Sequence, residues 1–117
     1  MDPLPKDVLT DDVLNRIAAP IETGSALPNA CYTSHAWLKS ENERLFATEW
    51  MLAGFCHDIP EPGDAFPITV AGMPLVLVRG PNQEVVVLHN VCLHRGAVLL
   101  GEPCKGQNAL VCPYHAW

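Results

Sequence analysis

The 117 residues amount to one ordinary domain, and 49% hydrophobic with 17% charged residues is a globular balance that excludes wholesale disorder. A net charge of −6 and a pI near 5.1 argue against nucleic acid as a partner, because phosphate binding draws most of its affinity from a basic surface. No apolar run approaches the roughly eighteen residues of a membrane span, and the acidic, Pro-rich residues 1–7 show no basic segment leading into an apolar stretch, so the expected compartment is the cytoplasm.

In chain order, Val8, Leu9, Val13, Leu14 and Ile17 fit a 3.6-residue stripe and predict a first helix, with Asp7 as its cap and Pro20 as its stop. A second helix is predicted over 35–49, capped by Ser34. Trp37, Leu38, Leu45 and Phe46 would form its buried face, and Lys39, Glu41, Asn42 and Glu43 its wet one. From Trp50 the texture changes to short apolar runs between turn residues. After the turn cluster Pro60-Glu61-Pro62-Gly63-Asp64, strands are predicted over 66–70, 75–79 and 85–89, separated by Gly72-Met73-Pro74 and Gly80-Pro81-Asn82-Gln83 at hairpin-like lengths. The pattern predicts a helical arm over 1–49 and a mainly β, antiparallel domain over 50–117.

Five cysteines, an odd number in a chain with no signal segment, favour metal binding over a disulfide framework. Two segments concentrate the chemistry: Cys92-Leu93-His94-Arg95-Gly96-Ala97 and Cys112-Pro113-Tyr114-His115-Ala116-Trp117. Each carries one thiol and one imidazole. That is the supply a mixed-ligand binuclear cluster needs, with Cys92 and Cys112 on one iron and His94 and His115 on the other. Gly96 would let the first loop turn sharply, and Pro113 would stiffen the second. Spacing alone leaves a tetrahedral zinc site open, since two Cys and two His also suit that metal.

The two segments resemble the Rieske iron–sulfur signature in the form found in aromatic ring-hydroxylating oxygenase large subunits. Leu27-Pro28, Tyr32-Thr33-Ser34, Phe46, Trp50, Asp58-Ile59-Pro60, Pro62-Gly63-Asp64, Gly72, Val78-Arg79 and Asn90-Val91-Cys92 extend the resemblance upstream in order. It favours the iron cluster over zinc. It implies one [2Fe–2S] cluster held by Cys92, His94, Cys112 and His115, and an antiparallel Rieske domain left incomplete at its C-terminus by the end at Trp117, which by itself would assemble its cluster poorly.

The resemblance also implies an enzyme of the Rieske oxygenase class, associated with aromatic hydrocarbon catabolism, though quaternary amines and other small organics are acted on too. A ferredoxin or flavin reductase would donate electrons, and the assembly would be a homo-trimer or an alpha-beta hexamer consuming a small organic substrate and dioxygen. The mononuclear non-haem iron that such enzymes use is expected only in a further C-terminal domain, because no His-x(3–4)-His pair with a distant carboxylate occurs among these residues, and no catalytic residue is assigned here. A stand-alone Rieske-type ferredoxin is the second reading; it leaves the long stretch before Cys92 without use.

Some residues receive other readings. Where the family usually has Gly after the second histidine, this chain has Ala116, which would be strained if the backbone there is left-handed. Cys31 and Cys56 are expected to be buried free thiols, Cys104 a small loop residue, and Trp117 a packing residue beneath the second loop. Arg95 is a candidate for the surface around the histidines. His35, His57 and His89 are expected to be structural, His57 in a surface turn and His89 packed at a strand end. Respiratory Rieske proteins carry an extra disulfide between their cluster loops, and here the equivalent positions are Ala97 and Tyr114. A low potential within the span open to such centres is therefore expected, and it should vary with pH through the histidine ligands. Redox titration across neutral and alkaline pH checks both, and a strongly positive or pH-independent potential would contradict them.

Overall fold

A computed structural model describes residues 7–117; the Pro-rich residues 1–6 lie outside it. The chain divides between Glu49 and Trp50 into two compact units.

In the first unit, helix α1 spans Asp11–Ile17. Its cap is Thr10 rather than Asp7: the Thr10 hydroxyl accepts from the Val13 N–H at 3.4 Å, so Val8 and Leu9 precede the helix. Asp11 and Asp12 occupy the first turn and Arg16 the last, matching the helix dipole, and Arg16 pairs with Asp12 at 3.1 Å. The helix ends before Pro20, as expected. A one-turn helix, α2 (Ala30–Thr33), has no counterpart in the periodicity; it buries Cys31, whose thiol is pushed up by burial and further by the charge of Glu41.

Helix α3 spans His35–Glu41 and is capped as expected by Ser34, whose hydroxyl accepts from the Trp37 N–H at 3.3 Å. It does not run on as an α-helix to residue 49. The chain widens into a π-helical turn over Asn42–Phe46, where the Ala47 N–H reaches back to the Asn42 carbonyl. Trp37 and Phe46 are half-buried while Leu38 and Leu45, expected on the same face, are exposed; the wide turn changes the helical phase only for residues after Glu41. None of the described helices is long and apolar enough to cross a membrane.

The second unit is a three-stranded antiparallel sheet in the order β1-β2-β3: β1 Ala65–Val70, β2 Met73–Arg79 and β3 Val85–His89. β-branched runs between turn residues produce it, and the observed strands start within two residues of those expected. The first hairpin turns on Ala71 and Gly72, with φ of 51° and 78°, a two-residue turn whose twist matches that of the strands; Met73 and Pro74 already belong to β2. Val76 and Leu77 at the middle of β2 are buried, with Ile59 and Ala65. The edge strand β3 is exposed along its length, His89 included, so His89 is not packed as expected.

Two buried charged side chains tie the loops to this sheet. The Arg79 guanidinium donates to the carbonyls of Ile59 (2.7 Å), Gln83 (2.8 Å) and Cys56 (3.0 Å), which fastens the 56–59 turn, a short 3-10 helix over Cys56–Asp58, to the second hairpin. Asp64 fastens the chain between the two Cys/His segments. It accepts from the N–H groups of Glu61 and Gly106, both at 3.1 Å, and from the Lys105 ammonium at 3.2 Å. Ala65 and Cys104 exchange both main-chain bonds at 3.0 Å, and the Gln107 N–H donates to the Gly63 carbonyl at 2.8 Å. Gly63, at φ 84°, must lack a side chain because a Cβ would stand 2.6 Å from the Gln107 carbonyl oxygen.

Burial by itself would push the Asp64 carboxyl up. The Glu61 and Gly106 N–H groups and the Lys105 ammonium outweigh it and hold the group below its ordinary value. A carboxyl depressed in the folded state contributes stability that is fully present above its unfolded value and is lost as pH falls through the folded one. Asp64→Asn is therefore expected to lower the midpoint of thermal unfolding at neutral pH and to close the gap to the wild type as pH drops below the carboxylate range. Thermal melts of both forms between neutral and strongly acid pH measure this, and a gap constant with pH would contradict it.

Candidate functional site

The two Cys/His segments fold into loops with the same main-chain closure. In the first, the Cys92 N–H donates to the Ala97 carbonyl at 2.7 Å and the Gly96 N–H returns to the Cys92 carbonyl at 2.9 Å. In the second, the Cys112 N–H donates to the Trp117 carbonyl at 2.8 Å and the Ala116 N–H returns to the Cys112 carbonyl at 2.9 Å. Such a closure reverses the chain within six residues and needs a left-handed residue at the fifth position. Gly96 and Ala116 supply it, with φ of 69° and 56°. The condition under which Ala116 would be strained is therefore met.

The closures bring the four sequence-predicted residues together in two pairs. Cys92 and Cys112 are 5% and 2% exposed, and the Cys92 thiol is near enough to bear on the Cys112 thiol. The Tyr114 N–H points at the Cys112 sulfur and lowers its thiol value; burial opposes this, while the Cys92 thiol and the His115 N–H add to it, and the net shift is downward. Main-chain donors aimed at sulfur favour the thiolate, the form that ligates metal. His94 and His115 are exposed, with ring centroids 5.0 Å apart and planes at 57°. Tyr114 stacks on His115 at 3.9 Å. Trp117 does not lie beneath the second loop; it is exposed, with its ring 5.7 Å from that of His94 in the first loop.

Two buried thiols, one on each loop, and two exposed imidazoles 5.0 Å apart form a donor set that fits a binuclear cluster with thiolates on one iron and imidazoles on the other.

The remaining candidates lie apart from this pair of loops. Cys56 is exposed rather than buried, because the Cys56–Asp58 turn uses its carbonyl to receive Arg79 and leaves the side chain outward. His57 is at the surface, stacked on Phe55 at 5.4 Å. His35 is exposed on the first turn of α3, and Arg95 is exposed on the first loop. Cys104 is half-buried, and its main chain bridges Ala65. Asn90, named in the sequence only as part of the upstream pattern, is buried beside the first loop. Its amide donates to the Leu100 carbonyl at 2.7 Å and accepts from the Leu100 N–H at 2.9 Å. An Asn two residues before a ligand-type cysteine is the only local signal for it.

The family model for the Rieske [2Fe–2S] domain matches residues 49–117. The chain belongs to this family. The cofactor of a Rieske domain is a single [2Fe–2S] cluster. A carnitine monooxygenase oxygenase subunit of Acinetobacter baumannii is 36% identical over 90 residues, which cover 77% of this chain and 24% of that protein. The solved apo form of a quaternary ammonium Rieske monooxygenase superposes with a TM-score of 0.72 at 31% identity, over 100% of this chain and 32% of that one. A naphthalene 1,2-dioxygenase from Rhodococcus sp. gives a TM-score of 0.69 at 27% identity, over 78% and 21%. The chain thus spans about a quarter of the length of the curated relative it matches, at 24%.

The strain at Ala116 can be measured. A left-handed Ala costs about 1–2 kcal/mol, and a Gly there returns about 0.4–1 kcal/mol of that to unfolded-chain entropy. Ala116→Gly is therefore expected to stabilise the protein by up to about 1 kcal/mol. Gly96→Ala should destabilise by a similar amount from backbone strain alone, because an added Cβ meets no atom within 4 Å. Denaturant unfolding of both variants tests this, and shifts of the same sign would contradict it.

Proposed function

We propose that Cys92 and Cys112 hold one iron and His94 and His115 the other iron of a single [2Fe–2S] cluster, and that the chain is the electron-transfer domain of a Rieske oxygenase large subunit. The observation that carries this is the pair of identically closed loops, each with a buried cysteine, which set two exposed imidazoles 5.0 Å apart. When bound, the cluster supplies one-electron chemistry, and its mixed ligands raise its potential above that of an all-Cys cluster. The chain's own residues do the rest. The Tyr114 and His115 N–H groups favour the Cys112 thiolate, burial keeps both sulfurs from water, and the exposed imidazoles face the side from which an electron partner can approach.

The zinc reading loses support because the family model that matches residues 49–117 is that of the Rieske [2Fe–2S] domain. The carrier reading loses support because the relatives are oxygenase subunits. Within that class, similarity to carnitine and quaternary ammonium monooxygenases favours a quaternary ammonium substrate over the aromatic hydrocarbon suggested by the sequence resemblance. The mononuclear iron and the substrate pocket would belong to residues outside these 117. The electron donor would be a ferredoxin or flavin reductase. The oxygenase would be oligomeric, since electrons pass between subunits in a related quaternary ammonium Rieske monooxygenase.

Replacing any one of the four ligands, as in Cys92→Ser, Cys112→Ser, His94→Ala or His115→Ala, is expected to reduce bound iron and acid-labile sulfide to background. In the wild-type holoenzyme the metal should be iron rather than zinc, and a trimethylammonium compound, unlike naphthalene, should stimulate oxygen uptake. Full loading of the four variants would sink the ligand assignment. Uptake driven by naphthalene alone would sink the substrate class.

A further inference from the structure

Among the described residues the buried polar side chains are Asp64, Arg79 and Asn90, and Asn90 is the one that spans a ligand loop. Its main-chain N–H donates to the Pro74 carbonyl in β2 at 2.9 Å, which anchors the start of the 90–100 segment to the central strand. Its side chain, 3% exposed, then makes both hydrogen bonds of a main-chain pair with Leu100, ten residues on. The carboxamide replaces the backbone partner that Leu100 would have in a sheet, and it pins both ends of the segment that carries Cys92 and His94. Inside that outer clamp sits the closure between Cys92 and Ala97. Among the described residues, no side chain makes a matching bond around the second loop, which has only its own closure.

We infer that Asn90 is a positioning residue for the cluster: by fixing the span of the first loop it sets where His94 stands relative to His115. The inference rests on the proposed ligand set. Chemistry restricts the position to a side chain that donates and accepts at once. Alanine leaves the Leu100 N–H and carbonyl unpaired in a buried place. Aspartate keeps the acceptor but sets a carboxylate oxygen against the Leu100 carbonyl, so the loop loses one bond and gains a repulsion. A loosened first loop would let the exposed His94 move while the buried cysteines stay in place. The effect should therefore appear in the electronic signature and lability of the cluster as well as in the stability of the fold.

The test uses the iron-loaded holoprotein with Asn90→Ala, Asn90→Asp and the core variant Val76→Ala, read by the magnetic resonance of the reduced cluster and by the rate of iron loss to a chelator. The wild type should show the mixed-ligand resonance. Both Asn90 variants should broaden or shift it and lose iron about tenfold faster, the scale of one or two buried hydrogen bonds. Val76→Ala should lower the unfolding midpoint and move neither readout. If Asn90→Ala fails to accumulate, Asn90→Asp decides on the same two measurements. Wild-type spectra and chelation rates in the Asn90 variants, or equal changes in Val76→Ala, overturn the positioning role and leave the ligand assignment standing. Absence of a mixed-ligand resonance from the wild type removes the ligand assignment and this inference with it.

Discussion

The site depends on how each ligand-type cysteine closes its own main chain. Cys92 and Cys112 each donate an N–H to the carbonyl five residues on and accept at their own carbonyl from the N–H four residues on. A buried peptide group must find partners, and this closure satisfies both polar groups of the cysteine within six residues. The consequence is geometric. The chain reverses, the sulfur points inward, and the next N–H groups of the second loop turn toward it, which is why the Cys112 thiol is held below its ordinary value despite burial. The cost is one left-handed residue per loop, carried by Gly96 without penalty and by Ala116 with some.

Two short loops cannot hold themselves against each other, and a three-stranded sheet offers few free backbone partners. Side chains take over that role. Asp64, Arg79 and Asn90 are buried, and most of their bonds go to main-chain groups rather than to opposite charges. Such bonds cost less desolvation than an isolated buried charge and fix direction, because a carbonyl or N–H has one position. Asp64 holds the 104–107 stretch that leads to the second loop, Arg79 holds the turn under the sheet, and Asn90 holds the first loop. Among the described residues the only ionic partner in the set is Lys105, itself largely at the surface.

Local patterns reach far into this fold. Strands announce themselves by β-branched runs between turn residues, so β1, β2 and β3 lie close to their expected places, and Ser34 caps α3 because a hydroxyl before an apolar stripe finds the nearest free N–H. The same local logic puts the first cap wrongly at Asp7, since Thr10 also qualifies and only the observed phase of α1 chooses between them. It also misses the π turn over Asn42–Phe46, where one extra residue per turn leaves the composition unchanged and shifts every later side chain. The exposure of Cys56 and the placement of Trp117 against His94 are illegible for a related reason: each depends on which way a loop faces after the chain has turned.

Residue types and spacings are legible without any fold: one thiol and one imidazole per loop, a residue after the second histidine that a left-handed backbone would strain, three strands and a helical stretch before them. Their donor chemistry is a property of the side chains and survives any fold. Folding alone brings the two sulfurs together, pairs the imidazoles, and sets Asn90 and Asp64 to hold the loops in place. The bonds of Asn90 and Asp64 join residues as far as 10 and 42 positions apart. They leave no periodicity in the chain, because a hydrogen bond between a side chain and a distant peptide depends on position in space rather than on composition.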